Sequence, residues 1–216
     1  MNRACSVTRH LMFAGVGILA LRLAPPAAST LVLRNAGSNV NTMIDGELVS
    51  TLRGNVVFEY DDVTIRSEYA RWRRSSEVVD LRENVNVTRG EEVLTCDRMH
   101  YDGREETLSA RGDVRFRDNA EQVEVSGRRC TYDLRNRHCV LTGDPVFTRL
   151  DTAAAETLTI KARRMTYDDS AKVTTAREEV RITKGQLSAR CEEARYYTEA
   201  EIAMLRKSPD IAYGDQ

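Results

Sequence analysis

Residues 54–72 read GNVVFEYDDVTIRSEYARW, and the pattern of this stretch returns along most of the chain. The copies start at intervals of 29, 29, 31 and 35 residues, at Gly54, Glu83, Gly112, Gly143 and Glu178. A truncated sixth copy starts at Lys207, another 29 residues on. Self-similarity at a fixed period is typical of proteins built from stacked repeats. The sequence therefore predicts about five copies of one β unit.

Each unit contains one aromatic residue at a constant distance from the next unit. These anchors are Trp72, Tyr101, Tyr132, Tyr167 and Tyr196, and each lies eleven residues before the following unit start. The distance from unit start to anchor varies instead, at 18, 18, 20, 24 and 18 residues. Insertions that are confined to one position indicate a surface loop on a regular framework.

Apolar residues alternate with polar ones inside each unit, as in Val56 and Phe58 and again in Val63 and Ile65. This period of two predicts strands with one face inward and one in water. Residues such as Asp61 and Asp62 separate the alternating stretches and predict turns. Helical spacing competes in residues 191–205, which are rich in Ala and Glu, but their register matches the other units and favours a strand.

Stacking the units in register aligns their inward residues into apolar rows. The residues predicted to line this interior are Val56, Phe58, Val63, Ile65, Val85, Leu94, Val114, Phe116, Val125, Val146, Leu158, Ile160, Val180 and Ile182. The alternation alone is compatible with a closed core and with an open apolar trough, and most alternating strands simply fill a core.

The N-terminus has the order of a secretory signal peptide. A polar segment with Arg3 and Arg9 precedes the apolar run 11–21, and small residues with two prolines follow. This predicts a signal peptide over residues 1–28 and a mature repeat domain over 29–216, outside the cytoplasm. A retained membrane anchor is the alternative, although Arg22 ends the apolar run well short of about 20 residues. The mature chain would carry 29 basic and 33 acidic residues, a net charge of −4, which gives no reason to expect nucleic acid as a partner.

Motifs for catalysis and cofactor binding are not found in the sequence, so we predict no catalytic residues, no cofactor and no enzymatic activity. His100 and His138 lie near predicted turns without a set of partners at metal-ligand spacing, and no metal site is predicted. Cys130 and Cys139 flank a turn and could face each other across a hairpin. The sequence is compatible with a disulfide between them and equally with two free buried thiols.

The unit starts of the form Gly-[Asn/Asp]-Val-x-[Phe/Val], the Val-x-Ile pairs and the Tyr-Asp turns, together with the N-terminal signal, resemble the OstA/LptA-like family of lipopolysaccharide transport proteins. The resemblance runs from about Ile44 to the C-terminus. Glu83 and Glu178 depart from the starting Gly, and Pro145 interrupts the fourth start.

This resemblance implies a repeat-built antiparallel β-jellyroll, a half-open shell of two sheets. It implies a periplasmic protein whose apolar trough shields the acyl chains of lipopolysaccharide, binding its lipid A portion. It also implies self-association through edge strands, forming a bridge between an inner-membrane transport complex and an outer-membrane barrel protein. The competing hypotheses are an extracellular structural or adhesive β-solenoid with a closed core, and the membrane-anchored member of the same transport system.

Overall fold

A computed structural model describes residues 31–151, 155–168, 170–197 and 202–214. The predicted signal peptide lies outside these residues. In the described part of the chain the regular structure consists of strands, and no helix is long and apolar enough to cross a membrane. The sixteen strands are β1 (Val32–Asn35), β2 (Ser38–Ile44), β3 (Glu47–Tyr60), β4 (Val63–Arg73), β5 (Val78–Arg89), β6 (Glu92–Asp102), β7 (Thr107–Asp118), β8 (Val123–Asp133), β9 (His138–Thr142), β10 (Val146–Asp151), β11 (Glu156–Lys161), β12 (Arg164–Asp168), β13 (Val173–Lys184), β14 (Leu187–Tyr197), β15 (Ile202–Arg206) and β16 (Asp210–Tyr213).

All described strands belong to one antiparallel sheet, which confirms the predicted all-β fold. Strands β3 to β8 pair in sequence order, and β9 to β14 continue the sheet. Strands β14 and β15 include residues of the Ala- and Glu-rich stretch 191–205 and pair with each other, so the predicted strand there is confirmed for the described residues. The two sheets expected of a jellyroll are therefore two parts of one continuous hydrogen-bonded sheet.

A bend crosses the middle of the long strands. At each unit start two successive residues have positive φ, for example Gly54 at 74° and Asn55 at 46°, and the pairing of β3 with β4 shifts between Arg53 and Val56. An extra residue of this kind is a β-bulge, which bends the strand. Gly tolerates the conformation at Gly54, whereas Glu83 adopts it at 65° as a non-glycine residue. In β3, β5, β7 and β13 the repeated motif thus marks a bend within a strand, whereas at Gly143 it separates β9 from β10.

The bend divides the sheet into two halves. We call them the Phe58 half, which holds Phe58 and its cross-strand neighbours, and the Leu52 half, which holds Leu52 and the aromatic anchors. All five anchors lie on one line of cross-strand partners, where Trp72 faces Val79 and Val79 faces Tyr101. The constant spacing of eleven residues between an anchor and the next unit start therefore reflects a fixed distance in the sheet, from the line of anchors to the bend.

Candidate functional site: the apolar interior

The interior of the Phe58 half is one unbroken line of apolar side chains. Each residue of this line lies directly opposite the next one, on the neighbouring strand. In order across the sheet the residues are Phe58, Ile65, Val87, Leu94, Phe116, Val125, Phe147, Ile160, Ile182 and Ala189. Directly opposed apolar side chains pack against one another and are the unit of sheet stabilisation. We call this line the Phe58 row.

Thirteen of the fourteen residues predicted to face inward belong to a single hydrophobic cluster. Eleven of them are buried, and Ile65 and Val125 are partly buried and pack against the cluster. The structure therefore brings these thirteen together on the concave side of the sheet.

The prediction for Val146 was wrong. Val146 is partly exposed and pairs with Ser126, while its neighbour Phe147 is buried and enters the Phe58 row opposite Val125. Pro145 is itself buried at the position that Val56 holds in the first unit, so the proline keeps the register of the repeat. Regular strand structure is interrupted here, between the end of β9 at Thr142 and the start of β10 at Val146. The Pro145 carbonyl accepts a hydrogen bond from the Ala162 N–H at 3.3 Å. A proline at this strand start needs no ladder N–H.

The Leu52 half supplies a second part of the interior, which the list of residues predicted to line it does not include. Leu52, Leu81, Met99, Leu141 and Met165 are buried and lie on one cross-strand line. The alternation in the sequence could have identified these residues, because each lies two residues from the line of aromatic anchors and therefore on the same face of the sheet. The interior is accordingly enclosed by both halves of the sheet.

A small cavity remains between the two halves. It has a volume of about 40 Å³ and its lining is apolar. Phe116 and Phe147 contribute from the Phe58 half, and Leu141, Met165 and Tyr167 contribute from the Leu52 half. Sites that enclose a small organic ligand have volumes of about 300–1,000 Å³. The described interior is thus closely packed, and a long apolar ligand needs the halves to move apart.

The thiols of Cys130 and Cys139 meet on the wall of this cavity, where their sulfur atoms lie 3.3 Å apart. Both are buried and free. The hydrogen bond between them and their burial raise the pKa of the Cys139 thiol well above its ordinary value. The predicted hairpin geometry is present, since Cys130 lies on β8 and Cys139 on β9, but the two are diagonal neighbours and not directly opposed.

Each end of the sheet exposes apolar side chains. At the N-terminal end β1 and β2 pair with β3, and Val40, Met43 and Ile44 are exposed. At the C-terminal end β15 and β16 pair with β14, and Ile211 and Tyr213 are exposed. Unpaired strand edges of this kind are templates for pairing with another chain.

Titratable groups in the described residues do not assemble into a reactive site. No group of three or more His, Cys, Asp or Glu side chains lies close enough to hold a metal ion in this part of the chain. His100 contacts Asp80 on the outer face, with Nδ1 and Oδ1 2.8 Å apart. Burial raises the pKa of Cys96 to about 12, so this thiol stays protonated at neutral pH.

Comparisons with known proteins agree with this architecture. The family model for the LptA/(LptD N-terminal domain) LPS transport protein matches residues 37–173. A search of the curated proteins found no match. Among solved structures, the chain is similar to LptH from Pseudomonas aeruginosa, described as the LptA homologous periplasmic component of the conserved lipopolysaccharide transport device. The two share 12% sequence identity with a TM-score of 0.51, over 57% of this chain and 95% of LptH.

An antiparallel sheet bent around an apolar interior is the architecture of the OstA/LptA-like class. Because the family model covers more than half of the chain, this protein belongs to the LptA/LptD N-terminal domain family of lipopolysaccharide transport proteins.

Proposed function

We propose that this protein carries lipopolysaccharide through the periplasm, holding the acyl chains of lipid A between the two halves of its sheet. The observation that supports the proposal is the Phe58 row, which is apolar on every strand from Phe58 to Ala189. A ligand that slides along such a row meets apolar contact at each position and no charge. In this role the protein performs no chemical step and uses no cofactor.

Burial energies are large enough for this role. Each CH₂ group removed from water contributes about 0.8 kcal/mol, so about ten buried CH₂ groups contribute about 8 kcal/mol before the entropy of ordering is subtracted. This gain offsets the loss of contacts between the halves when the chains enter. The cavity of about 40 Å³ would serve as the point where separation begins, since its lining already lacks close contact.

The two exposed edges provide the proposed route of assembly. An extended strand from another molecule adds to an open sheet edge through main-chain hydrogen bonds. Joining β1 of one copy to β16 of another would continue the Phe58 row from copy to copy, because Leu33 lies opposite Phe58 and Ile211 lies opposite Ala189. Joining β2 to β15 in the same way would continue the Leu52 half, and the joint would cover Val40 and Ile211. The same edges would dock on the inner-membrane transport complex and on the outer-membrane barrel protein, after residues 1–28 have directed export.

Site-specific photo-crosslinking tests the proposal. A benzophenone amino acid replaces Phe116 in the Phe58 row, and the matched control replaces Arg115, the next residue, which points to the outer face. Cells that express each variant are irradiated and probed for adducts with lipopolysaccharide. We expect adducts at position 116 and not at 115. Equal labelling of both positions contradicts binding between the halves.

A structural β-solenoid with a closed core is the second candidate. The close packing of the interior and its small cavity favour it. Native mass spectrometry of protein purified from a lipopolysaccharide-producing host separates the two candidates. A bound lipid in the mass spectrum supports the carrier. A lipid-free protein in the mass spectrum, together with no lipopolysaccharide adduct at position 116 or 115, supports the closed core.

A further inference from the structure

Arginine residues form a line across the outer face of the sheet, one residue before the bend. Arg82 lies opposite Arg98, Arg98 opposite Arg111, and Arg111 opposite Arg129. Thr142 follows Arg129 on the next strand, and beyond it Arg164 lies opposite Arg177. We call Arg82, Arg98, Arg111, Arg129, Arg164 and Arg177 the arginine ladder. With about 4.8 Å between neighbouring strands, the ladder is about 29 Å long.

This arrangement is unfavourable within the chain alone. Like charges directly opposite each other in a sheet destabilise it. All six ladder residues are exposed, and Arg98, Arg111 and Arg129 form no ion pair within 4.0 Å with any residue that the structure describes. On β3, β4 and β5 the repulsion between arginines is reduced, because Tyr69 lies between Arg53 and Arg82. Each of the two guanidinium groups is 5.6 Å from the centroid of the Tyr69 ring.

The C-terminal end of the ladder contains an anion of its own. Glu193 occupies the next position after Arg177 on the same line, and its side chain is only 7% exposed. The Arg177 Nε donates to Glu193 Oε2 at 3.4 Å, and the Arg195 Nε donates to Oε1 at 2.8 Å. A carboxylate placed on the ladder line is therefore held by the flanking arginines. Arg98, Arg111 and Arg129, at the centre of the ladder, offer the same guanidinium donors, and no carboxylate occupies a position on the line between them.

A groove lies along the centre of the ladder. It has a volume of about 890 Å³, and its lining contains Arg111, Arg115, Arg128 and Arg129 together with two acidic residues, Asp113 and Asp144. At Gly143, where φ is +84°, a Cβ would come within 2.5 Å of the Arg128 Cβ. Glycine at this bend therefore lets the stem of Arg128 lie against the groove wall.

We propose that the arginine ladder binds an extended anionic glycan that carries phosphate, sulfate or carboxylate groups. A line of evenly spaced guanidinium groups matches a linear chain with repeated charges. Ser109, Thr131 and Thr166 lie on the neighbouring line of the same face, on either side of Val140, and their hydroxyl groups suit the hydroxyl groups of a sugar chain. This binding is additional to the proposed transport of lipid.

The surroundings of the ladder disfavour a membrane surface. Acidic residues at the bend run beside the ladder, with Glu83, Asp97, Asp113 and Asp144 each at or near a bulge. A flat anionic bilayer would approach this acidic line as closely as the arginines. A narrow chain can lie along the arginine line and meet acidic side chains only where Asp113 and Asp144 line the groove. The glycan is also separate from any lipid in the interior, because the ladder lies on the opposite face of the same strands.

A binding titration tests the proposal with the full mature chain. The probe is a fluorescein-labelled heparin oligosaccharide, and a neutral dextran of matched length is the comparison. In the variant Arg98→Gln, Arg111→Gln, Arg129→Gln we expect affinity for heparin to fall about tenfold at low salt, because three exposed charge contacts are lost. Affinity should also fall with added salt in the wild type and less steeply in the variant.

The matched control removes three exposed arginines from the outer face of the Phe58 half, in the variant Arg66→Gln, Arg181→Gln, Arg190→Gln. It has the same net charge, and we expect it to lose less than about threefold. The ladder variant should melt at an equal or higher temperature than the wild type, since repulsion is relieved. Equal loss in both variants, equal binding of dextran, or tighter binding of phosphatidylglycerol vesicles or polyglutamate than of heparin overturns the proposal.

Discussion

Phe58 and Trp72 lie edge to face, with ring centroids 5.5 Å apart and ring planes at 86°, although they belong to opposite halves of the bent sheet. Phe58 is completely buried, and the Arg74 guanidinium lies over the Trp72 ring, 4.4 Å from its centroid. Aromatic pairs in this geometry contribute about 0.5–1.5 kcal/mol beyond their buried area. The contact is therefore a latch between the halves, at the N-terminal end of the Phe58 row.

Trp72 is the one tryptophan of the chain, so its fluorescence reports on this latch. If acyl chains enter between the halves, Phe58 and Trp72 must separate and the environment of the indole must change. We expect a shift of the emission maximum on titration with lipopolysaccharide micelles, and none with the delipidated saccharide. A Phe58→Leu variant, which keeps apolar volume but removes the ring, should begin closer to the shifted position. An unchanged spectrum at saturating lipid contradicts opening at this end.

Phe147 and Val146 allow a direct test of the register at the fourth unit. We expect Phe147→Ala to lower the free energy of unfolding by about 3–5 kcal/mol, because it leaves a cavity in the Phe58 row. Val146→Ala, on the outer face, should change it by less than about 1 kcal/mol. Urea denaturation followed by circular dichroism measures both. Similar losses for the two variants would mean that Pro145 does not keep the repeat in register.

The exposed edges predict concentration-dependent assembly. Val40→Asp in β2 or Ile211→Asp in β16 should reduce the larger species seen by sedimentation velocity, since a charge would be buried at the joint. Asn86→Asp places the same charge on an inner strand and serves as the control. Each edge variant keeps the edge that the other one blocks, so we expect an equimolar mixture of the two to form dimers through the remaining pair of open edges and no larger species. Assembly of all three variants to the same extent would exclude this joint.

The Cys130–Cys139 pair predicts a pH-dependent oxidation. We propose that it closes to a disulfide under oxidising conditions, since the sulfur atoms are already in contact at 3.3 Å. Attack requires the thiolate, and the raised pKa of Cys139 keeps the thiol protonated at neutral pH. The rate with a mild disulfide oxidant should therefore be slow at pH 7 and rise about tenfold per pH unit toward pH 9.

Mass spectrometry after rapid alkylation measures this oxidation, and Cys130→Ser provides the control in which no intramolecular bond forms. A rate that is independent of pH, or alkylation of both residues after prolonged oxidation, would leave the pair as structural thiols.

The repeat, the strands and most of the inward face were predictable from the amino-acid order. Alternation with period two assigns each residue to a face wherever the strand is regular, as at Val114 and Phe116. The anchors were also predictable as equivalent positions, because Trp72 and Tyr101 have the same distance to the next bend. Regular local geometry was enough for these features.

Other features depend on contacts between residues far apart in the chain. Whether Val146 or Phe147 enters the core depends on how a proline fits into the bend, which alternation does not describe. The contact of Phe58 with Trp72 requires the bulges to bring the two halves face to face. The arginine ladder exists because strand pairing places Arg98, Arg111 and Arg129 opposite one another, although 13 and 18 residues separate them along the chain. The repeat thus follows from local order, whereas the enclosed interior and the charged line outside it follow from the register and bending of the sheet.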